Sequence, residues 1–452
     1  MNSRELVLKA IRNEETIRAP WVPFVGCHAA KLIDVNAEEF FKDADLIVNG
    51  VKAAAEKYRA DGIPALFDLQ IEAEALGCEL LWAKSNPPSV VSHPLSEGKK
   101  LKDLKVPTEN DGRFPIVLDA TKRICDEIGQ EIAIYGLITG PFTLALHLLG
   151  SDIFYNMIDE PEETQELLEF CTEVCLKTSK MYMDAGVDII AVVDPMTSQI
   201  SPNSFNEFVT PHCKKVFDFI RNEGKLGSMF VCGNAKKNIE EMCKCGADSI
   251  SIDENIPLDY VRDMARKYNI SFGGNIKLTV TMLFGSVADN VNDALNCMEI
   301  GGKKGFILAP GCDMPFDVPV ENAEAIAKVV HGEVAELMES VNSLEGIEVE
   351  LPDYENNEKV YIDVVTLDSE SCAPCQYMME AVRKCAQEFE DKVVIKEHKI
   401  KEKEAVVVMQ KLGVKNVPTI VIDGVIKFIS DTPDSVTLIN AYKEALNNKG
   451  LI

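Results

Sequence analysis

The chain has 452 residues, 46% of them apolar, which is enough to fill the cores of two domains of unequal size. Lys and Arg number 46 against 73 Asp and Glu, and the net charge of -27 argues against nucleic acid and anionic membrane surfaces as partners. No apolar run reaches the length of a membrane span, and the charged, amphipathic start Met1–Ala10 lacks the form of a signal peptide, so the expected location is the cytoplasm.

In chain order, residues 2–13 read as a helix capped by Asn2 or Ser3. Trp21–Val25 reads as a short strand that stops at Gly26-Cys27-His28. Gly62–Phe67 is a strand stopping at Asp68, followed by a helix that carries Glu72 and Glu74. From Cys78 to about Val106, alternating apolar residues with prolines and turn residues suggest an inserted hairpin or flap. The order then becomes regular. Strands are expected at Ile132–Ile138, at Val187–Val193 ending on Asp194, and at Leu226–Val231 ending on Cys232. Three more follow, at Ser249–Ile252 ending on Asp253, at Ile270–Phe272 before Asn275, and at Gly305–Leu308 before Cys312. Eight apolar strands alternating with helices imply a parallel sheet closed as a (β/α)₈ TIM barrel over residues 1–344. Such barrels carry their active sites at the C-terminal strand ends. His28, Asp68, Asp194, Cys232, Asp253, Asn275 and Cys312 are therefore expected around one mouth.

A helix should run from His331 to about Leu344, and the acidic stretch 345–357, with its Gly and Pro, reads as a linker. Residues 358–452 follow a different plan, βαβαββα, with Cys372-Ala-Pro-Cys375 opening the first helix; this is a small thioredoxin-like α/β domain. A helix N-terminus favours the Cys372 thiolate, and Pro418 is expected to be cis and packed beside the motif with its partner Cys375. The competing reading is a scaffold whose thiols are idle or hold metal.

Fourteen cysteines form no compact disulfide framework, and most, such as Cys125, Cys171, Cys175 and Cys385, read as small buried apolar residues. So many thiols suit a reducing, anaerobic cytoplasm. Cys232 and Cys312 differ, since each ends a strand beside a glycine. Two thiolates converging on one mouth make a soft metal site suited to zinc, with a third ligand to come from His28, Glu74, Asp68, Asp194, Asp253 or Glu254. The plainer alternative is two buried cysteines without function. Asp68 and Asp194 are candidates for acid–base work together with His28, and Asp253 and Asn275 for substrate contacts. The alternative for each aspartate is a helix cap, and for Asp253 the two readings balance. His147 reads as a packed residue and His212 as structural or exposed, and Gly273-Gly274 and Gly301-Gly302 lack a phosphate-binding pattern.

The stretches Phe67–Gly77, Thr139–Leu144, Ala185–Ile190, Ser201–Pro211, Val231–Asn234 and Pro310–Cys312 resemble the uroporphyrinogen decarboxylase superfamily over most of residues 1–340. The resemblance implies a (β/α)₈ barrel and one of two activities. Decarboxylases of the family hold porphyrinogen carboxylates with a pair of N-terminal arginines, and Val25–Lys31 contains none. The cobamide-dependent methyltransferases carry a His-x-Cys near the fifth strand and a Cys after the eighth, which bind zinc. This chain is similar at Cys232 and Cys312 and departs from the pattern at Phe230, which stands in the histidine's place. The resemblance therefore implies transfer of a methyl group between a small ether, thiol or amine and a corrinoid held by a separate partner protein, with zinc as Lewis acid. A homo-oligomer is left open. The alternatives are a uroporphyrinogen-type decarboxylase and a redox-regulated binding or disulfide-reductase module built on Cys372 and Cys375.

Overall fold

The structure is a computed structural model that describes residues 1–333, 349–354, 356–366, 369, 373–389, 392–399, 403–414, 417–429 and 433–452. The chain divides into two compact units, residues 1–337 and 338–452.

In the first unit seven parallel strands form one sheet. They are β1 (Gly62–Pro64), β4 (Ala133–Thr139), β5 (Ile189–Val193), β6 (Leu226–Val231), β7 (Ser249–Ile252), β8 (Ser271–Ile276) and β9 (Phe306–Pro310), paired in that order. The inserted hairpin is present as the short antiparallel pair β2 (Leu80–Leu81) and β3 (Ser89–Val90). The eighth strand expected at Trp21–Val25 is reduced to a single parallel bridge from Trp21 to Leu308. That bridge still closes the curl. Val22 N donates to Leu308 O (2.9 Å) on one side, and Asp61 N donates to Trp21 O (2.9 Å) on the other. Pro20 and Pro23 flank the bridge and have no N–H, so the ladder stops there.

Alternation sorts the strand side chains into two layers. Ala133, Tyr135, Leu137, Ile189, Ala191 and Val193 point into the barrel, while Ile134, Ile138, Ile190 and Val192 pack outward under the helices. The first helix, Ser3–Ile11, is held by a capping box between Asn2 and Glu5 and adds Val7, Ala10 and Ile11 to the inner cluster. No helix among the described residues is long and apolar enough to cross a membrane.

The second unit has four strands, β10 (Val360–Thr366), β11 (Val393–Lys399), β12 (Thr419–Ile422) and β13 (Val425–Ile429), in the order β11-β10-β12-β13. β10 and β11 are parallel, and β12 runs antiparallel to β10 and to β13. Helices Ala373–Ala386, Lys403–Lys411 and Ser435–Asn448 fall where the sequence places them, and the β12–β13 turn is at Asp423-Gly424, both with positive φ. The Val417–Pro418 bond is cis, and Pro418 is buried. Cys375 is buried in the first turns of its helix, whereas Cys372 lies outside the described residues. So do 334–344 and part of the expected linker, 345–348 and 355. The rest of that stretch packs onto the second unit, with Val349, Leu351 and Tyr354 against a cluster of Val365, Val408, Leu412, Val414 and Val421.

Candidate active site

The strand ends of the first unit bring the two thiols together. On β6 the inward row runs through Phe230, and Cys232 continues it past the strand end; both belong to the inner cluster, as does Cys312 beyond β9. Cys232 and Cys312 are each half-buried and pack against that cluster. The neighbouring Cys312 side chain, then burial, then the negative charges of Asp253 and Asp313 push the Cys232 thiol well above its ordinary value. Beneath the sulfurs lies an aromatic floor. The Phe230 ring is 4.9 Å from Phe24 and 6.0 Å from Phe67, centroid to centroid.

The other expected groups are spent elsewhere. His28 is fully buried at the start of helix His28–Lys31, with Nδ1 3.0 Å from Phe316 O and Nε2 2.6 Å from the Tyr58 hydroxyl. Burial pushes its imidazole down to about 4, so it stays neutral at physiological pH and has no ring nitrogen free. Asp68 is 2% exposed and accepts from Arg113 Nη1 (2.7 Å) and Gln70 N (2.8 Å); the same guanidinium donates through Nε to Glu74 (2.7 Å). Asp194 is fully buried and closes the N-terminus of the neighbouring helix Pro141–Leu149. It accepts from Phe142 N (3.2 Å), Thr143 N (2.8 Å) and Thr143 Oγ1 (2.6 Å). Burial pushes its carboxyl up to about 6 despite those donors. Gly140 is required at that approach, because a Cβ there would run into the Asp194 carboxyl. Asp253 accepts from Gly233 N (2.7 Å) and Asn255 N (2.8 Å). Asn275 donates to the backbone oxygens of Asp253 (3.0 Å) and Ile256 (2.7 Å), tying the end of β8 to the loop after β7.

These commitments decide the metal question on donor chemistry. A catalytic zinc takes three protein ligands and an open place. Of the six candidates for a third ligand, His28, Asp68, Asp194, Glu74 and Asp253 are committed as above, and Glu254 accepts from Leu278 N. The position of the family histidine holds the packed ring of Phe230. Among the described residues no three His, Cys, Asp or Glu side chains gather as a metal-binding group. The residues present do not fit a three-ligand zinc.

Three groups were not singled out from the sequence. Asp313 follows Cys312 directly, accepts from Gly26 N (2.6 Å), and has its carboxyl pushed well above the ordinary range by burial. The signal was there, since Asp313 is a carboxylate just past a strand, one residue beyond the thiol. Glu72 is 1% exposed, is held by Thr139 N (3.3 Å) and Thr139 Oγ1 (3.0 Å), and is pushed by burial up to about 7. Arg113, 5% exposed, has no local signature; its role appears only when helix and strand ends meet.

The pattern of the uroporphyrinogen decarboxylase (URO-D) family matches residues 2–333. A methylcobamide:CoM methyltransferase, MtbA, of Methanosarcina acetivorans is 25% identical over 72% of this chain and 96% of its own length. A uroporphyrinogen decarboxylase of Carboxydothermus hydrogenoformans is 26% identical over 72% of this chain and 95% of its own. Among solved structures, a methyltransferase from Methanosarcina mazei superposes with a TM-score of 0.68 at 25% identity, covering 74% of this chain and 99% of that one.

Proposed function

The chain belongs to the uroporphyrinogen decarboxylase family, and from that membership we propose that it moves a methyl group between a small methylated compound and the corrinoid of a separate protein. The observation that carries this reading is the meeting of Cys232 and Cys312 at the ends of β6 and β9. A decarboxylase of the family needs free arginines for carboxylates. The Val25–Lys31 stretch has none, and the buried Arg113 is already bound by Asp68 and Glu74.

The corrinoid, when docked, supplies the cobalt that gives or takes the methyl group. The chain's own part is to bind, orient and exclude water. The floor of Phe24, Phe67 and Phe230 keeps the bottom of the mouth dry, and the soft sulfurs of Cys232 and Cys312 contact the methyl-bearing group. Asp253 and Asn275 shape the rim, through Gly233 and the loop after β7. Asp313, whose carboxyl burial pushes well above its ordinary range, is the group proposed to give a proton to the departing heteroatom when the substrate is the methyl donor. His28, Asp68 and Asp194 hold the scaffold instead.

We read the second unit as thioredoxin-like, supported by the strand order β11-β10-β12-β13 with one parallel pair and by the helix that begins at the Cys-x-x-Cys. Cys372 and Cys375 are its proposed redox pair. The decisive experiment mixes the anaerobic protein with methylcobalamin and a small thiol and follows the visible spectrum for demethylation. Cys232→Ser should lower the rate at least about 100-fold with the fold retained, and Asp313→Asn should slow transfer from a methylated donor but not from the corrinoid to a thiol. No spectral change with any thiol, ether or amine, by the wild-type chain with its corrinoid partner, would sink the reading.

A further inference from the structure

The chain carries a net charge of -27, and two cavities among its helices hold carboxylates beside their lysines: Glu162, Glu163 and Glu166 in one, Glu109, Asp119 and Asp184 in the other. A third cavity, of about 630 Å³, is lined by Ser198, Gln199, Asn234, Lys236, Lys237 and Tyr260 and has no carboxylate in its walls. It opens between the loops that follow β5 and β6. Asn238 ties those loops together, donating through Nδ2 to Thr197 O (2.9 Å) and Ile200 O (3.0 Å). Gly233, with a φ of 83°, turns the second loop so closely past the first that a Cβ there would stand 3.1 Å from Ser198 Oγ. The cavity therefore borders the residue after Cys232.

We propose that this cavity is a binding site for a small molecule carrying a phosphate monoester. Lys236 and Lys237 have no ion pair among the described residues, and the hydrogen-bond partners they do have leave donors to spare. Lys237 Nζ donates once, to Gln199 O at 3.5 Å. Lys236 Nζ is 5.7 Å from the centroid of the Tyr260 ring, which holds the ammonium over an aromatic wall. Ser198 is 5% exposed and accepts from Gln199 Nε2 (3.0 Å), while its own O–H has no acceptor among the described residues. A buried hydroxyl with an unspent proton, beside two free ammonium groups, calls for an anionic acceptor. Two positive charges with no carboxylate in the walls match a dianion, and a phosphate monoester is close to doubly charged at neutral pH. The volume exceeds what a bare phosphate fills, so the group is attached to a larger body, for which Tyr260 offers an apolar ring. Side-chain cations take the part that backbone N–H groups play in a glycine-rich loop, so no glycine pattern marks the site. The proposal does not depend on methyl transfer, since its readout is binding.

The test titrates phenyl phosphate into the full-length protein at low salt by calorimetry, with phenyl sulfate as a singly charged probe of similar shape. Phenyl phosphate should bind at one site per chain, and more tightly than phenyl sulfate. Lys236→Gln and Lys237→Gln should each weaken it at least about fivefold, and Ser198→Ala about tenfold, with melting temperatures unchanged. Lys102→Gln with Lys105→Gln, a pair of exposed lysines outside the cavity, should leave binding as it is. The Ser198 variant separates a built site from loose attraction to surface charge, which a neutral hydroxyl would not alter. The proposal is overturned if phenyl phosphate does not bind up to millimolar concentration, or if phenyl sulfate binds as tightly. It is equally overturned if binding survives in the Lys236→Gln, Lys237→Gln double variant or is indifferent to Ser198→Ala.

Discussion

Two sides of the barrel mouth obey the same sequence rule and end in opposite states. At the ends of β6 and β9 the thiols of Cys232 and Cys312 are half-buried and pack against the inner cluster. At the ends of β1 and β5, and just past the Trp21 bridge, Asp68, Asp194 and His28 are at most 2% exposed, and hydrogen bonds take up their polar atoms. A polar residue beyond a strand is thus available for chemistry only where the fold leaves hydrogen-bonding capacity unspent. Where a helix terminus, an arginine or a tyrosine takes up that capacity, the group stabilises the scaffold.

The largest expected effect tests the spent side. Arg113→Met removes the guanidinium that bridges Asp68 and Glu74 and leaves Asp68 buried without its partner. Breaking such a pair costs about 3–5 kcal/mol, measurable by denaturant unfolding. Adding Asp68→Asn should restore part of the loss, because the uncompensated charge is then gone. If Asp68 were a solvated mouth carboxylate, the single change would cost no more than about 1 kcal/mol.

Next in size is a pH effect. Burial raises the Glu72 carboxyl to about 7 in the folded state, so between roughly pH 4 and 7 the folded chain binds a proton that the unfolded chain has released. The stability from protonated Glu72 is therefore complete below the unfolded value and is lost as pH rises through 7. Asp194 acts with the same sign up to about 6. Glu72→Gln keeps an acceptor for Thr139 and removes the ionisation. It should stabilise the protein at pH 8 by up to about 3 kcal/mol and change little at pH 4. Unfolding curves at the two pH values check this, and an equal shift at both would show that the effect is packing rather than charge.

How much of this was legible beforehand follows from the range of each interaction. Strands buried on both faces, such as Ala133–Thr139 and Ile189–Val193, announce themselves as apolar runs, and the inward row through Phe230 to Cys232 follows from alternation alone. The turn at Asp423-Gly424 is equally local. The strand expected at Trp21–Val25 shrinks to one bridge because Pro23 removes a donor in the middle of an otherwise apolar run. The fates of Asp68 and His28 could not be read, because Arg113 and Tyr58 reach them from the ends of helices 45 and 30 residues away and no spacing encodes that meeting. The same two residues show why position beyond a strand identified candidates without identifying roles.

The smallest expected effect separates those roles most cleanly. Tyr58→Phe deletes one hydroxyl, and with it the 2.6 Å bond to His28 Nε2, while the ring that stacks on the imidazole stays. If His28 belongs to the scaffold, the cost is a single buried hydrogen bond, about 1 kcal/mol in unfolding at pH 8. The rate of methyl transfer per folded molecule should then not move. His28 titrates near 4 in the folded chain, so its neutral form contributes stability that is present above about pH 6.5 and fades as pH falls toward 4. If His28 instead passed a proton to the substrate, removing the partner of its ring nitrogen would alter its acidity and displace the pH–rate profile. A displaced profile would move His28 to the unspent side of the mouth, whereas a stability loss of about 1 kcal/mol with an unmoved profile keeps it where the Phe316 carbonyl and the Tyr58 hydroxyl hold it.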